Sequence, residues 1–209
     1  MAEQKPYLHL VFASRSATES RLLYDKWATT YDSDMAAHSF TAPALVASAT
    51  ARALQRSQLR GLRFLDAGCG TGTVGVELAK LGADCIDGVD FIEGILEVAR
   101  KSGVYGELKC ADLMQKLGFG DAEFDGVVCC GTFTHGHLGP RPLGEFVRVV
   151  KRDGVVVATV LESHWVEKGF EDEVERLVKE GVCEVVEREV HQYRKDAGGG
   201  RVLVLRSLR

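Results

Sequence analysis

The chain has 209 residues, of which 45% are hydrophobic, and these values predict one globular domain with a substantial buried core. Its formal net charge of −4 provides no general attraction to phosphate backbones or anionic membranes, so we expect neither a nucleic-acid nor a membrane partner. Six cysteines without a C-x-x-C pair predict neither a metal site nor a disulfide framework. The first thirty residues lack the pattern of a secretory signal, and we expect a cytoplasmic protein.

A segment of helical character, about sixty residues long, precedes the region in which strands are expected. Its parts "SATESRLLYDKWATTYDSDMAAHSF" and "APALVASATARALQRS" both look helical, and Pro43 sits where the first turn of a helix tolerates proline. We therefore predict that residues 1–60 form a helical cap. It belongs to the same domain as the core, which we place at residues 61–209.

From Arg63 onward, short apolar runs alternate with segments of helical period. This order predicts βαβ units, a parallel sheet and right-handed crossovers. The segment "WVEKGFEDEVERLVKEG" has the pattern of one amphipathic helix. The last two apolar runs flank the turn signal "KDAGGG" and predict a closing β-hairpin.

A glycine-rich loop, "LDAGCGTGTVG", joins the first predicted strand to the next helix. Counted from Gly70, it is a literal G-x-G-x-x-G, the pattern of dinucleotide binding. Counted from Asp66, it is an acid followed by glycines at alternate positions. A strand that ends in glycines and opens a helix presents backbone N–H groups and a positive helix end to a ligand. Taken alone, such a loop can also serve only to pack a helix on a strand.

Acidic residues at three consecutive strand ends discriminate between these interpretations. Asp66 would meet a dinucleotide's pyrophosphate as a like charge, whereas it would attract a cationic amino acid. Asp90 lies about twenty residues beyond the glycines, the distance at which a carboxylate on the neighbouring strand reaches a ribose diol. Asp112 ends the third predicted strand and could accept a hydrogen bond from an adenine amino group. The three acids favour a ligand that combines a cationic amino-acid part, a ribose diol and an adenine over NAD(P).

The motifs "LDAGCGTG", "GVDF" and "CADL" resemble those of class I S-adenosylmethionine-dependent methyltransferases, from about Leu22 to the C-terminus. Within that superfamily, "YDKWATTYDSD" and "GTFTHGHLGP" are similar to the methyltransferase-like proteins named after the Williams–Beuren syndrome chromosomal region. They are also similar to short microbial natural-product methyltransferases. The resemblance implies a Rossmann-like, mostly parallel seven-stranded sheet of order 3-2-1-4-5-7-6 with strand 7 antiparallel. It also implies S-adenosyl-L-methionine as the cofactor.

The resemblance assigns cofactor contacts to particular residues. The glycine loop would surround the methionine part, the acid at the end of the second strand would hold the ribose hydroxyls, and residues after the third strand would contact the adenine edge. Aromatic residues of the cap would close over the cofactor. The residues are Tyr24, Trp27 and Tyr31 in the cap; Asp66, Gly68, Gly70, Thr71 and Gly72 in the loop; Asp90, Phe91 and Ile92 beside the ribose and adenine; and Asp112 and Leu113 at the adenine edge.

Two departures from relatives are visible in the sequence. Residues 151–154 read K-R-D-G where many relatives have K-P-G-G, at a turn remote from the chemistry. The fourth strand is followed by "CCGTFTHGH", without the acidic or amide residue and P-P-aromatic motif of enzymes that methylate nucleobases or glutamine amides. This difference weighs against those substrates.

Two histidines follow the fourth predicted strand, at the edge where open α/β sheets bind ligands. Methyl transfer from a sulfonium depends mainly on alignment and exclusion of water, but an alcohol or phenol must also lose a proton. Histidine has a suitable pKa for that task. We predict His137 as the better candidate for the acceptor's base and His135 as the second, because "GHLGP" is the part of the loop that resembles relatives. His164, after the fifth strand, is a weaker candidate for lining the pocket.

The sequence therefore predicts a methyltransferase that uses S-adenosyl-L-methionine and acts on a small-molecule acceptor, with an oxygen nucleophile preferred. The identity of the acceptor and the oligomeric state are left open. Two alternatives remain. One is a protein that binds the cofactor without methylating, since the motifs specify binding and say little about turnover. The other is an NAD(P)-dependent oxidoreductase, which rests on the literal G-x-G-x-x-G alone.

Overall fold

The computed structural model describes most of the core and parts of the N-terminal segment. The described residues are 7–12, 22–23, 26–27, 30, 34, 40–134, 138–193 and 199–209. The strands are β1 (Arg63–Ala67), β2 (Cys85–Asp90), β3 (Leu108–Cys110), β4 (Phe124–Phe133), β5 (Val150–Leu161), β6 (Cys183–His191) and β7 (Gly200–Ser207). The helices are α1 (Tyr7–Phe12), α2 (Ala42–Ala53), α3 (Thr73–Lys80), α4 (Glu93–Arg100), α5 (Pro142–Val149), α6 (Glu162–Lys168) and α7 (Phe170–Lys179).

The seven strands form one sheet in the order β3-β2-β1-β4-β5-β7-β6. Strands β1 to β5 pair in parallel, and β7 pairs antiparallel with both β5 and β6. The order of the strands and the antiparallel strand confirm the fold that the family resemblance implied. The hairpin predicted at the C-terminus is the β6–β7 pair.

Two hydrophobic clusters cover the two faces of the sheet. Successive residues of β5 alternate between them: Val155 and Val157 belong to one cluster, and Val156 and Ala158 belong to the other. Because neighbouring side chains of a strand point to opposite faces, a strand segment buried on both sides is apolar, as β5 is at residues 154–158. Helices α2 and α3 supply the first cluster with Val46, Ala47, Val74 and Leu78, and helices α5 and α7 supply the second with Leu143, Phe146, Val174 and Leu177.

The prediction of one amphipathic helix after β5 is wrong, because the segment forms two helices, α6 and α7. Gly169 separates them with a φ of +72°, a left-handed conformation that ends α6. The break changes which residues face the core. Phe170 is fully buried, whereas Val166 is 74% exposed.

The N-terminal segment packs on the sheet through α2, whose first turn contains Pro43 as predicted. Trp27 and Val11 form a separate small cluster with Tyr7, Leu23 and Phe40 around it. The boundary between cap and core stays a prediction. Within the described part of the chain, no helix has the length and apolar character needed to cross a membrane.

The functional edge of the sheet follows from the strand order. Strand β1 pairs with β2 on one side and β4 on the other, so the connection after β1 runs toward β2 and the connection after β4 runs the opposite way, toward β5. Ligands of open α/β sheets bind outside the carboxyl ends of the strands at such a point. The residues after β1, β2 and β4 therefore define the candidate site.

Candidate functional site

The glycine loop between β1 and α3 has a conformation that favours glycine at three positions. Gly68, Gly70 and Gly72 have φ values of +74°, +55° and +94°. The amides of Gly68 and Cys69 donate to the carbonyl oxygen of Val89 at 2.8 and 3.0 Å, which fixes the loop to β2. A Cβ atom at Gly70 would meet no described atom within 4 Å. The loop thus exposes bare backbone to open space at Gly70.

A tyrosine ring that the sequence analysis did not single out lies beneath this loop. A Cβ atom at Gly75 would lie 2.4 Å from both Cζ and Oη of Tyr105, and one at Gly72 would lie 2.9 Å from Cε2. On the other side of the ring, a Cβ atom at Gly88 would lie 3.1 Å from Cδ1 of Tyr105. The sequence signal for this ring was Gly88 in the middle of β2, since glycine inside a strand often marks a close approach.

Asp66 pairs with this tyrosine. The Tyr105 hydroxyl donates to Oδ2 of Asp66 at 2.7 Å, and the carboxyl group has no exposed surface. Burial raises the pKa of Asp66 to about 7, a shift that the Tyr105 hydrogen bond opposes and the negative charge of Asp90 increases. Asp66 therefore lies under the loop, and in this geometry its charge acts on a ligand through the loop without direct contact.

Asp90 connects the glycine loop with the start of α4. Its Oδ2 accepts a hydrogen bond from the Gly70 amide and its Oδ1 accepts one from the Ile92 amide, both at 3.0 Å. Burial raises the pKa of Asp90, and these amide donors oppose the shift. The Phe91 amide also acts on this carboxylate, which has about four lone-pair sites, so Asp90 can accept a further hydrogen bond from a ribose diol.

The residues predicted to contact adenine gather where β2 and β3 end. The Ala111 amide donates to the Asp90 carbonyl oxygen at 2.9 Å, which joins the two strand ends. Asp112 lies two residues beyond β3, and its Oδ1 accepts from the Met114 amide at 2.8 Å. Three predicted neighbours differ in exposure: Phe91 is 46% exposed, whereas Ile92 and Leu113 are buried.

The end of β4 supplies two further positions that the sequence analysis missed. The pairing of β4 with β5 shifts register between Cys129 and Phe133, and Gly131 has a φ of +75° there. The Gly131 amide donates to Oγ1 of Thr159 at 2.9 Å. A Cβ atom at Gly68 would lie 2.4 Å from Oγ1 of Thr132, so this hydroxyl lies directly against the glycine loop.

The two histidines predicted as acceptor bases, His135 and His137, lie outside the described residues. The next residue, Leu138, accepts a hydrogen bond through its carbonyl oxygen from Nε2 of His164 at 2.8 Å. His164 is fully buried at the start of α6, and its ring packs on Phe170 with a centroid distance of 5.7 Å. It therefore holds the backbone at Leu138.

Of the aromatic residues predicted to close over the cofactor, Tyr24 and Tyr31 also lie outside the described residues. Trp27 is described and is 1% exposed. Its Nε1 donates to Oδ2 of Asp34 at 2.7 Å, and its ring stacks on Tyr7 with a centroid distance of 6.0 Å. In this structure Trp27 is a core residue of the N-terminal segment.

Comparison with known proteins agrees with this geometry. Residues 64–154 match the family model described as a methyltransferase domain. The chain is 32% identical over 165 residues to human Methyltransferase-like protein 27, a match that covers 77% of the chain and 66% of that protein. It is 35% identical over 101 residues to the S-adenosyl-L-methionine-dependent Diels-Alderase iccD of Talaromyces variabilis, covering 45% of the chain and 34% of that protein.

A solved structure with bound S-adenosylmethionine has the same fold. Magnesium protoporphyrin IX methyltransferase from Synechocystis superposes with a TM-score of 0.61 at 16% identity, over 96% of this chain and 89% of that one. The strand order, the glycine loop and the family match place the chain in the class I S-adenosylmethionine-dependent methyltransferases. The similarity to Methyltransferase-like protein 27 confirms the predicted relationship within that class.

S-adenosylmethionine is the cofactor of this family, which confirms it over NAD(P). The residues present fit the molecule. Gly70 leaves open space beside bare backbone, Asp90 retains lone pairs for a diol, and Asp66 and Asp90 supply negative charge to a sulfonium. The particular contacts of each residue stay predictions.

We expect Gly75→Ala to destabilise the fold by about 1–3 kcal/mol, the usual cost of overpacking, because its Cβ would overlap the Tyr105 ring. Urea denaturation of the single variant and of Gly75→Ala in a Tyr105→Leu background measures this cost. Tyr105→Leu removes the far end of the ring, so the alanine should cost much less there. An equal cost in both backgrounds would show that Tyr105 is not the obstacle.

We expect Asp66→Asn to flatten the pH dependence of stability. The raised pKa means that the folded state holds this proton more tightly than the unfolded chain. Protonated Asp66 therefore contributes to the free energy of unfolding fully at pH values below 3.8, the pKa in the unfolded chain. This contribution is lost as the pH rises to about 7, the pKa in the folded state. The free energy of unfolding, measured with urea at several pH values, should therefore fall less over this range in the variant. Equal slopes would contradict a buried, titrating Asp66.

We expect Asp90→Ala to weaken S-adenosylmethionine binding by about 1.5–3 kcal/mol, the range for hydrogen bonds to a charged group, while the protein stays folded. Isothermal titration calorimetry measures the dissociation constant. Asp172→Ala, which removes an exposed carboxylate from α7, is the matched control and should bind normally. An unchanged dissociation constant in folded Asp90→Ala would reject the ribose assignment.

Proposed function

We propose that this protein transfers the methyl group of S-adenosylmethionine to a small-molecule acceptor through an oxygen nucleophile. One observation carries the proposal: the glycine loop has an open side at Gly70, next to a carboxylate whose oxygens are already oriented by two backbone amides. These features support cofactor binding at the switch point of the sheet. The matches cover 66% of the length of Methyltransferase-like protein 27 and 34% of that of the Diels-Alderase, so the activity itself is decided by experiment.

A small acceptor is favoured by charge and by the loop after β4. The net charge of −4 gives no general attraction for nucleic acid, and "CCGTFTHGH" lacks the motif of enzymes that methylate nucleobases or glutamine amides. We retain a cytoplasmic location as a prediction. The oligomeric state is left open.

The cofactor supplies an already activated methyl group, so the chain has to bind, align and exclude water. In the proposed function, the open side of the glycine loop at Gly70 and the Asp90 carboxylate would hold the cofactor. Thr132 places a hydroxyl against the loop from the side of β4, and we assign the acceptor to this side. The buried carboxyl of Asp66 adds negative potential under the loop, which stabilises a sulfonium more than the neutral thioether product.

The acceptor's proton is assigned to His137, with His135 as the second candidate, on the basis of sequence position. In the sequence they stand between β4 and Leu138, whose carbonyl oxygen accepts a hydrogen bond from buried His164. Histidine titrates near neutral pH and suits general-base catalysis of an alcohol or phenol.

A second function, cofactor-dependent chemistry without methyl transfer, is favoured by one specific observation. The chain is 35% identical over 101 residues to a protein named as an S-adenosyl-L-methionine-dependent Diels-Alderase. The residues that bind the cofactor do not distinguish the two functions. The acceptor side of the site decides between them.

The deciding experiment follows formation of S-adenosylhomocysteine after the protein and S-adenosylmethionine are mixed with fractionated metabolite extracts. Product that appears with the wild-type protein and falls with Asp90→Ala supports methyl transfer. Cofactor binding without product across diverse extracts supports the second function. Failure to bind S-adenosylmethionine by calorimetry would reject both.

With an acceptor that carries a hydroxyl group, we expect His137→Ala to lower turnover by about 10²- to 10⁴-fold, the usual contribution of a general base. Cofactor affinity should stay nearly constant, and His135→Ala should have the smaller effect. The wild-type rate should rise with pH through the histidine range. A flat profile between about pH 5.5 and 8, with chemistry rate-limiting and near-normal turnover in His137→Ala, would remove the histidine from the mechanism.

A further inference from the structure

A chain of contacts leads from the cofactor loop to an aromatic pair that no step above uses. Thr132 lies against Gly68, and the residue before it, Gly131, faces the ring of Phe40. A Cβ atom at Gly131 would lie 4.0 Å from Cζ of Phe40 and would meet no other described atom within 4 Å. Phe40 therefore contacts the chain one residue before Thr132, the residue at which we place the acceptor.

Phe40 is held in place from two sides. Its ring packs on the cluster formed by Trp27 and Val11 in the N-terminal segment. On the other side it meets the ring of Tyr193, edge to face, with a centroid distance of 6.1 Å and an interplanar angle of 76°. Such edge-to-face pairs add stability beyond the burial of their surface. Phe40 itself stays only half-buried.

Tyr193 joins the last two strands to this segment. It follows β6, and its carbonyl oxygen accepts a hydrogen bond from the Thr41 amide at 2.9 Å. The ring is 7% exposed, and its hydroxyl lies so close to Gly200 that a Cβ atom there would be 2.0 Å from Oη. The β6–β7 hairpin thereby fixes Phe40 in front of the carboxyl end of β4.

We propose that Phe40, supported by Tyr193, forms the acceptor-facing wall of the site and selects neutral acceptors whose hydroxyl is carried on a flat, apolar body. The proposal rests on the proposed function and names the class of its substrate. Phe40 and Tyr193 contribute aromatic surface, and Thr132 contributes a neutral hydroxyl. None of these three side chains carries a charge to pair with an ionic acceptor.

The geometry also indicates where the acceptor lies. Phe40 approaches Gly131 too closely to leave room for a second ring between them, since stacked rings need a separation of about 3.5–4.0 Å on each side. The acceptor therefore lies beside Phe40, against its exposed surface and Thr132, with its hydroxyl toward the cofactor loop. A flat body can contact the ring along its whole surface, whereas a puckered one touches it at a few atoms.

Two probes of the same skeleton test this selectivity. 2-Naphthol is flat, and decahydro-2-naphthol carries its hydroxyl on the same two fused rings in saturated, puckered form. Binding of each to the full chain saturated with S-adenosylhomocysteine is measured by calorimetry and by ligand-detected NMR. We expect 2-naphthol to bind at least fivefold more tightly than the saturated analogue.

Substitution of Phe40 ties the preference to the ring. Phe40→Leu keeps an apolar group against the Trp27 cluster but removes the flat surface, and should lower 2-naphthol affinity at least fivefold and abolish the preference. Its affinity for S-adenosylhomocysteine should stay within twofold. Leu22→Ala, an exposed position in the same N-terminal segment, is the matched control and should bind both probes normally. Tyr193→Leu removes the supporting ring and replaces Phe40→Leu as the test if that variant does not fold.

The proposal is overturned if 2-naphthol does not bind the wild-type complex, if it binds no better than the saturated analogue, or if folded Phe40→Leu or Tyr193→Leu binds it as tightly as the wild type. If 2-naphthol is preferred but no extract yields S-adenosylhomocysteine, the proposed methyl transfer is rejected and the aromatic wall is retained. If an extract yields S-adenosylhomocysteine but the two probes bind equally, the aromatic wall alone is rejected.

Discussion

The pairing of a buried carboxyl with a partly buried tyrosine underlies the whole site. Tyr105 donates to Asp66 beneath the glycine loop, and the Asp66 side chain has no exposed surface. An unpaired carboxyl at that depth would cost several kcal/mol, so the hydroxyl has to be there. Its ring in turn excludes a side chain at Gly72 and Gly75. The glycines of the motif thus have two purposes: Gly70 faces the open ligand space, and the later ones accommodate the tyrosine.

Two carboxyl groups with raised pKa values near one loop are unfavourable for the fold and favourable for a cationic ligand. Burial raises the pKa of both Asp66 and Asp90, and the charge of Asp90 raises that of Asp66 further. Such perturbation by burial and a like charge is typical of functional sites. A sulfonium nearby would favour the ionised forms of both groups, because an opposite charge offsets the effect of burial on the pKa.

The sequence was informative wherever the signal was local. Alternating strands and helices, the glycine loop and Asp90 were all predictable, because each depends on residues close together in the chain. Contacts between distant segments were not: Tyr105 reaches Asp66 across 39 residues, and His164 reaches Leu138 across 26. Gly169 misled for the opposite reason, since the hydrophobic period continues through it while its left-handed backbone ends the helix.

The two halves of the chain divide the site between them. Loops after β1, β2 and β3 build the cofactor side, and the hydrogen bonds that join the glycine loop, Asp90 and Ala111 all lie within this part of the chain. The acceptor side needs the antiparallel β7, which lies between β5 and β6 and returns the chain so that Tyr193 meets the N-terminal segment. Phe40 is therefore positioned by a hairpin more than 150 residues later in the sequence. Variation in the hairpin and cap can change the acceptor while the cofactor loop stays constant, which is how one fold serves many substrates.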